Sequence, residues 1–253
     1  MTSSLANPGL ALFVLCVVMV GCAAVVYRFA GLGNPLTAPW AAARGALQLA
    51  AISLILAAAL AHLWSSLLVL AVMFVAAAVT AGRRARAGRS AAWLAVALGC
   101  GVGVVLPLML ISGVVPLQGV ALVPIGGIML GNAMTATALA AKRGLDAIDL
   151  RRGEVEAGLS LGFSVRDAHM EVVGPSASDA LLPGLDQTRT VGLVTLPGAF
   201  VGVLLATGSA VQAGAVQILV LVGVLLAQTC AVAVAIELVA RGVVHRRGSR
   251  PMR

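Results

Sequence analysis

The sequence predicts an all-α membrane protein, a polytopic bundle of about seven transmembrane helices. Of its 253 residues, 60% are hydrophobic and only 10% are charged, and the mean hydropathy is +1.06. A water-soluble globule needs more polar surface than this composition supplies. The apolar stretches run to about twenty residues without the alternation of barrel strands, which favours helices as the spanning form.

Seven apolar stretches reach the length of about 17 to 25 residues that a bilayer-spanning helix requires. The first follows a tail over 1–8 that has no Lys or Arg, so we expect it to be retained as an anchor and not cleaved as a signal peptide. Pro124 fits the start of the fifth stretch, and Pro197 is expected to bend the sixth. In chain order the stretches cover 9–28, 45–63, 65–82, 91–111, 120–141, 190–207 and 213–240.

Basic residues occur only in alternate connections between these stretches. The tail and the connections near 64, 112–119 and 208–212 contain none. Cytoplasmic connections carry the excess of Lys and Arg in membrane proteins. The pattern predicts the N-terminus outside and the C-terminus in the cytoplasm, which requires an odd number of spans. The 17 cations lie at 28 and 44, at 83, 84, 86 and 89, at 142, 143, 151, 152, 166 and 189, and at 241, 246, 247, 250 and 253.

The net charge of +8 does not indicate a nucleic-acid-binding protein. Aromatic residues make up only 4% of the chain, so a base-stacking platform on a basic face is not expected. Membrane lipids are the expected partners of the cations. The four cysteines lie in apolar stretches without a Cys-x-x-Cys pair, which favours packing over a disulfide or a thiolate metal site.

The connection over 142–189 holds most of the acidic residues. None of the nine Asp and Glu precedes Asp146, and eight lie between Asp146 and Asp186. Charges of mixed sign in this order are typical of a water-facing helical hairpin. The sequence therefore predicts a compact cytoplasmic protrusion in this segment.

The hairpin is predicted as a helix that ends at Gly162 and a short transverse helix that follows it. Ser164 with Asp167 forms a capping box at the start of the second helix. Gly174 and Pro175 are expected to stop it, and Ser176 with Asp179 repeats the start signal before the sixth span.

The hairpin resembles the cytoplasmic coupling loop of ATP-binding-cassette (ABC) permeases, whose pattern is E-A-A, three residues, G, nine residues, I-x-L-P. The chain has Glu-Ala at 156–157, Gly162 and Pro175 at identical spacing. A surface hairpin that happens to contain Glu-Ala is the alternative. Three positions depart from the pattern: Gly158, Val172 and Gly174.

A longer resemblance is carried by two runs. They are Pro-Ile-Gly-Gly-Ile-Met-Leu-Gly-Asn-Ala-Met at 124–134 and Thr-Val-Gly-Leu-Val-Thr-Leu-Pro-Gly at 190–198. Together they resemble the iron-export permeases of the Fet type, whose plant relatives are the aluminium-sensitivity membrane proteins. The resemblance extends from about Arg44 and Gln48 to Leu238.

The resemblance implies that residues 1–253 form a single permease domain in the cell (plasma) membrane, with a coupling segment at about 142–189. It implies export of iron or a related metal species, pairing of the permease as a homodimer, and a separate cytoplasmic ABC ATPase subunit that holds ATP and Mg. The chain itself is expected to carry no cofactor and not to be an enzyme. Its sole lysine, Lys142, is flanked by Ala141 and Arg143 and does not fit a phosphate-binding loop.

Within the resemblance, the hairpin residues couple the permease to the ATPase. A solvated charge is the alternative for Arg166, and His169 is expected to be a surface histidine. The coupling residues are Glu156, Ala157, Gly162, Ser164, Val165, Arg166 and Asp167.

Polar side chains at bilayer depth are costly, so those inside the predicted spans are candidates for a translocation pathway. One face of the fifth span carries an amide, a hydroxyl and a thioether. Hydrogen bonding between helices is the alternative. The candidates are Gln48, Met129, Asn132, Thr135 and Thr195.

No carboxylate is predicted at mid-depth, because Glu237 lies near the end of the seventh span and is expected to pair with Arg241. The spans supply no cluster of His, Asp and Glu for a metal, so no residue is predicted as a metal ligand. If iron is the cargo, oxygen ligands must come from Asn132, hydroxyls, water or a chelate.

Two glycine pairs, Gly99 with Gly103 and Gly127 with Gly131, are expected to pack helices closely.

Two other functions remain open on the sequence alone. A stand-alone facilitator or ion-coupled carrier would need no ATPase, so co-purification with one distinguishes it. A membrane scaffold would recruit a cytoplasmic protein without moving a solute, so vesicle transport distinguishes it.

Overall fold

The computed structural model describes residues 9–59 and 62–246. Within these ranges the chain is helical, without a strand, and the predicted fold class is confirmed. The N-terminal tail and the cations at 247, 250 and 253 lie outside the described residues. The helices are α1 Leu10–Phe29, α2 Thr37–Ala59, α3 Leu63–Ala85, a 3-10 helix Gly88–Trp93, α4 Leu94–Ile111, α5 Gly119–Leu150, α6 Arg152–Ser160, α7 Val165–Ser178, α8 Leu182–Thr190, α9 Gly198–Thr207 and α10 Ala210–Ala240.

Five helices of the described chain are long and apolar enough to cross a membrane. They correspond to the first, third, fourth, fifth and seventh predicted spans, so the chain is a multi-pass membrane protein. The spans predicted over 45–63 and 190–207 are not among them, and the count of seven is not confirmed. The five are Leu10–Phe29, Leu63–Ala85, Gly88–Ile111, Gly119–Leu150 and Ala210–Ala240.

The chain divides into two compact units between residues 61 and 62. The first contains α1 and α2, joined by a turn at Asn34. The Asn34 side chain accepts a hydrogen bond from the backbone N–H of Leu36 at 2.9 Å, and the Asn34 carbonyl accepts one from the hydroxyl of Thr37 at 2.7 Å. These bonds satisfy backbone groups at the start of α2, as asparagine commonly does in turns.

In the second unit, helices α3 and α5 run in the same direction. Leu70 of α3 lies against Gly126 of α5, where an added Cβ would be 2.6 Å from Leu70 Cδ2. Further along both helices, Arg83 and Lys142 line a common pocket. Because the contacts advance together along both helices, α3 and α5 end on the same side of the unit.

Helix α10 is parallel to α5. A Cβ added to Gly223 would be 2.7 Å from Met129 Cε, and one added to Gly144, later in α5, would be 3.5 Å from Val239, later in α10. Fully buried Met129 therefore fills the space that a glycine leaves on the neighbouring helix.

Helix α4 runs against α10 in the opposite direction. A Cβ added to Gly101 would overlap the carbonyl oxygen of Ala227 and lie 2.9 Å from Ala231 Cβ, whereas Met109, later in α4, meets Gly223, earlier in α10. A side chain larger than hydrogen at Gly101 would force the two helices apart.

Of the two glycine pairs predicted to pack closely, only the second does so, and at one member. A Cβ added to Gly127 would be 2.8 Å from Met73 Cε, whereas one added to Gly99 would make an ordinary contact of 3.8 Å with the ring of Phe74. At Gly103 and Gly131, no atom of the described chain lies within 4 Å of such a Cβ. Among the glycines of α4, the closest approach of another helix occurs at Gly101, which neither pair includes.

The ends of α3, α5 and α10 meet at what we call the basic end of the second unit. Ser90 Oγ, just after α3, donates a hydrogen bond to the carbonyl of His245 at 2.9 Å and accepts one from the His245 backbone N–H at 3.0 Å. Arg246 donates to Asp146, and to Asp149 at 2.7 Å. Three connections predicted to share one side of the membrane are thus together; which side they face remains a prediction.

Helix α5 extends nine residues beyond its predicted end at 141. Its 32 residues make a helix about 48 Å long, against a hydrocarbon core of about 30 Å. The polar residues after 141 continue the same helix because Leu145 and Ala147 remain buried on its inner face. The long helix projects beyond the membrane-spanning part and supports the hairpin.

Helix α7 packs along these extensions and is not a separate transverse helix. Val173 approaches Gly144, where an added Cβ would be 3.1 Å away, and Ala177 joins a buried cluster with Ala136 and Ala140 of α5. As α7 advances it meets earlier residues of α5, so it runs antiparallel to α5 and leads back from the basic end into the bundle.

Gly174 and Pro175 do not stop α7, which continues to Ser178. The predicted stop was wrong because burial of Ala177 against α5 holds the last turn despite the proline. The predicted start at Ser176 with Asp179 was also wrong, since the next helix begins at Leu182 with a proline in its first turn.

The sixth predicted span, 190–207, is helical mainly over α9, because α8 precedes it except for Thr190. Helix α8 has 9 residues and α9 has 10, each about 15 Å long and too short to cross the hydrocarbon core alone. The residues between them form a turn in which Gly192 N–H donates to the Thr195 carbonyl at 2.9 Å, and Pro197 caps α9. The sequence predicted a bend at Pro197, and the structure shows instead that the helix is fully interrupted before Pro197.

The two pieces lie beside α10 one after the other. Gly184 of α8 touches Gln228, and Ala199 and Val203 of α9 share a cavity with Val216, earlier in α10. Helices α8 and α9 together therefore lead away from the basic end, antiparallel to α10.

Candidate functional site

A cavity of about 180 Å³ lies at the break between α8 and α9, and we call it the amide cavity. Its polar lining consists of three carboxamides from three different helices, Asn132 of α5, Gln187 of α8 and Gln217 of α10. The start of α9 closes one side. The lining is Ile128, Asn132, Gln187, Pro197, Gly198, Ala199, Gln217, Val220, Leu221 and Val224.

The carboxamides of the amide cavity have unused hydrogen-bonding capacity. Asn132 Nδ2 donates to the Ile128 carbonyl at 2.8 Å, which leaves its oxygen without a partner in the described part of the chain. Gln217 is only 5% exposed, and its Oε1 is buried without a hydrogen-bond partner among those residues. A buried polar atom left unpaired costs about 1–3 kcal/mol, so such a cavity favours water or a polar solute.

An apolar cavity of about 450 Å³ adjoins the amide cavity and shares Ile128, Ala199 and Val220 with it. Its wall includes Val114 and Pro116 of the connection before α5, which lies at the opposite end of the unit from the basic end. The adjoining cavities lead from the helix break towards that end.

Of the five predicted pathway residues, the structure places only Asn132 in the amide cavity. Met129 is fully buried against α10. Thr135 lies on another face of α5 and donates to the Gly131 carbonyl at 3.0 Å. Thr195 is exposed in the turn between α8 and α9, and Gln48 is exposed on α2 in the first unit. Their pathway role remains a prediction.

Sequence reasoning missed two cavity residues, Gln187 and Gln217. Gln217 falls inside the stretch predicted as the seventh span, so the cost of an intramembrane amide was a usable signal. Gln187 carried no such signal, because it precedes the stretch predicted as the sixth span and was placed in the cytoplasmic segment.

The hairpin is formed by α6, α7 and the turn over 161–164. Gly162 has φ 91°, a left-handed conformation that glycine adopts without a steric penalty. Ser164 Oγ accepts a hydrogen bond from the Asp167 backbone N–H at 3.2 Å, which confirms the predicted cap. Val155 is fully buried in one cluster with Val172, so α6 and α7 pack as a unit.

The exposed surface of the hairpin carries Glu156, which pairs with Arg152 at 3.1 Å. Ala157 is exposed in the same helix and Val165 is half-buried at the start of α7. Contact of Glu156, Ala157 and Val165 with an ATPase remains a prediction.

Arg166 fastens the hairpin to α10. Its Nε and Nη2 donate to the two carboxylate oxygens of Glu237 at 3.0 and 2.8 Å, and its Nη1 donates to Asp167 at 2.8 Å. Glu237 also accepts from Arg241 at 2.6 Å, which confirms the predicted pair. Arg166 is therefore not an isolated solvated charge.

The charges at the start of α7 stabilise one another. The hydroxyl of Ser164 donates to the carboxylate of Asp167 at 2.6 Å, and this bond, followed by the one from Arg166, holds the pKa of Asp167 below its usual value. The bonds to Glu237 and then to Asp167 raise the pKa of Arg166. Both side chains remain charged near neutral pH.

The prediction that His169 is a surface histidine was wrong. It is 7% exposed, and its Nδ1 lies 2.9 Å from the Ala240 carbonyl at the end of α10. Since a carbonyl accepts, this contact requires the proton on Nδ1. His169 belongs to the inward stripe that Val165, Ala168 and Val172 define at helical spacing, which was the missed signal.

In the described ranges, no group of three or more His, Cys, Asp and Glu is placed to hold a metal ion. The oxygen donors nearest the helix break are the neutral amides of the cavity. Both runs that carry the resemblance border this cavity: Ile128 and Asn132 belong to 124–134, and Pro197 and Gly198 belong to 190–198.

A multi-pass helical bundle with an interrupted helix beside an internal polar cavity is the architecture of a permease-like membrane protein. The chain belongs to the family described as "Uncharacterised protein family (UPF0014)", whose model matches residues 10–244. The resemblance to Fet-type permeases and plant aluminium-sensitivity proteins is confirmed by the relatives.

Three relatives show the range of the family. The chain is 35% identical to "UPF0014 membrane protein STAR2" of Oryza sativa subsp. japonica over 72% of this chain and 65% of that protein. It is 33% identical to "Protein ALUMINUM SENSITIVE 3" of Arabidopsis thaliana over 72% and 68%. It is 32% identical to "Probable iron export permease protein FetB" of Escherichia coli (strain K12) over 49% and 48%. No solved structure matches the chain.

Proposed function

We propose that this chain is the membrane-spanning subunit of an ABC transporter that exports iron or a related metal species. The name of the Escherichia coli relative supports the substrate class. The amide cavity at the break between α8 and α9 is the observation that carries the proposal. Transporters place their binding sites at interrupted helices, and Pro197 and Gly198 at the start of α9 line this cavity.

The chemistry of the amide cavity suits transient binding of a hydrated cation or a small chelate. Amide oxygens of Asn132, Gln187 and Gln217 are hard ligands, which first-row metal ions accept together with water. The cavity lining contains no carboxylate, so a cation would be held weakly. Weak binding favours release, which a transport site requires.

The α6–α7 hairpin is the proposed docking element for a separate cytoplasmic ATPase, with the basic end facing the cytoplasm. Its rigid turn at Gly162 and the capped start of α7 present a fixed shape to a partner groove. ATP and Mg belong to that partner, which the chain needs because it lacks a phosphate-binding loop. On this proposal the chain is not itself an enzyme, and two copies pair in the cell (plasma) membrane.

Motion of the hairpin would reach the amide cavity through two continuous helices. Arg166 links the hairpin to Glu237 of α10, and Gln217 lies on the same helix, about 30 Å away at 1.5 Å per residue. Helix α7 also packs against α5, which carries Asn132. A shift of α7 would therefore change the spacing of the amides that line the cavity.

The test begins with purification of the chain from its native membrane and identification of any ABC ATPase that accompanies it. The pair is then reconstituted in vesicles with Fe²⁺, and ATP-dependent movement of the metal is measured. The proposal requires both subunits and ATP. Metal movement by the chain alone would indicate a carrier, and absence of movement with a bound ATPase would indicate a scaffold.

A further inference from the structure

A second site lies at the basic end, between the end of α3 and the last third of α5. This space of about 450 Å³, which we call the basic pocket, contains four cationic side chains and no acidic one. Thr135, Ala138 and Leu139 form the rest of its lining. The four cations are Arg83, Arg84, Arg86 and Lys142.

The four cations of the basic pocket are unpaired in the described chain, as are Arg89 and Arg151 of the same unit, but only these four line one pocket. In the described part of the chain, none of them has an acidic side chain within ion-pair distance, and all are exposed. Like charges brought into one pocket repel one another, and only a bound anion or solvent offsets that repulsion. By contrast, six arginines of the same unit are paired with acids: Arg143, Arg152, Arg166, Arg189, Arg241 and Arg246.

Arg86 has an unusual backbone conformation. It has φ 56° and ψ 31° and is the only residue other than glycine with positive φ in the described ranges. Glycine is the residue expected at this position after a helix, because a side chain there is strained. Strain of this kind points to a function of the side chain, and the Arg86 side chain lines the basic pocket.

The place and lining of the basic pocket indicate the kind of anion. It lies where α3 and α5 leave the membrane-spanning part, and apolar Ala138 and Leu139 line it beside the cations. Basic pockets between transmembrane helices take phospholipid headgroups. Guanidinium groups bind phosphate oxygens in pairs of hydrogen bonds.

We propose that the basic pocket binds the phosphate of an anionic phospholipid headgroup and thereby joins the ends of α3 and α5. Free phosphate has the same chemistry but lacks the acyl chains that a lipid would keep in the membrane beside these helices. The site uses other residues than the amide cavity and does not depend on the transport proposal.

The test compares the full-length protein with two pocket variants and one matched control. Arg86→Gly removes the guanidinium while placing glycine in its preferred conformation, so the variant folds at least as well as the parent. Lys142→Gln removes the charge from the opposite wall. Arg89→Gln is the control, because Arg89 is an exposed arginine in the same connection that does not line the pocket.

Binding is measured in neutral detergent by native mass spectrometry and by the shift in melting temperature. The probes are phosphatidylglycerol, phosphatidylcholine and inorganic phosphate. We expect phosphatidylglycerol to bind, and each pocket variant to weaken it by about tenfold, the size expected for a lost charged hydrogen bond. The Arg89→Gln control should bind as the parent does, and affinity should fall with added salt.

The proposal would be overturned by equal binding of phosphatidylcholine, by an equal loss in the Arg89→Gln control, or by unchanged binding in both pocket variants. Inorganic phosphate that binds as tightly as phosphatidylglycerol would also overturn it, since the site would then recognise a free anion.

Discussion

Arg166 of α7 and Glu237 of α10 form a two-point ion pair, with nitrogen–oxygen distances of 3.0 and 2.8 Å, across 71 residues of sequence. It is a fixed link between the hairpin and a membrane-spanning helix. A paired guanidinium and carboxylate restrict orientation as well as distance. The link therefore fits a role in transmitting motion, beyond its small contribution to stability.

Replacing Arg166 with Gln should uncouple ATP hydrolysis from transport while membrane insertion and folding stay normal. Both partners are partly exposed, so the loss in stability should be small. The measurement is the ratio of metal transported to ATP hydrolysed in reconstituted vesicles. Arg152→Gln, which breaks an exposed pair within α6, is the matched control, and an equal effect of both variants would refute a special role for Arg166.

Gly162→Pro should disrupt the turn between α6 and α7. Proline fixes φ near −65°, whereas Gly162 has φ 91°. We expect loss of ATPase binding, measured by co-purification, with the five long helices still inserted. Gly153→Ala, in the exposed first turn of α6, is the control, because it replaces a glycine of the hairpin outside the turn. Retention of the ATPase by Gly162→Pro would count against docking through this turn.

Gln217→Leu should lower transport without lowering stability. The variant removes a buried oxygen that lacks a partner in the described chain, and relief of that penalty offsets the changed packing. Asn132→Leu should also impair transport with the ATPase still bound. Gln212→Leu, at the exposed start of α10, is the control. Normal ATP-driven transport in both cavity variants would indicate that these amides contribute to helix packing and not to transport.

The start of α7 should respond to pH through Asp167. Its pKa in the folded protein is lowered, so its contribution to stability is full above the unfolded value of about 3.9 and is lost as pH falls through the lower folded value. Hydrogen exchange at the Asp167 amide should thus stay slow from neutral pH to about pH 4. Asp167→Asn should abolish the acid response, and an unchanged response in that variant would assign it to another group.

The sequence was sufficient for the features that local chemistry determines. Long apolar runs predicted the five long helices, and the alternation of cations predicted which helix ends share the basic end. Ser164 with Asp167 predicted the start of α7. Each of these signals lies within a few residues of the structure it predicts, so no knowledge of tertiary contacts was needed.

The features that tertiary packing decides could not be predicted in the same way. Pro175 is a strong local stop signal, but burial of Ala177 against α5 overrides it. The break between α8 and α9 lies in an apolar run that resembles an ordinary span. Gln187 lines the amide cavity only because α8 packs against α10, where Gly184 meets Gln228. The burial of His169 could have been predicted from the sequence, because its spacing places it on the apolar stripe of α7.

We propose that a separate ATPase moves the hairpin and thereby drives transport through the second unit. The most direct measurement is metal movement across vesicles that contain the chain alone, the chain with its ATPase, or the chain with its ATPase and ATP. We predict movement only in the last case, and its loss in Arg166→Gln. Equal movement in vesicles that contain the chain alone would show that transport does not depend on the ATPase.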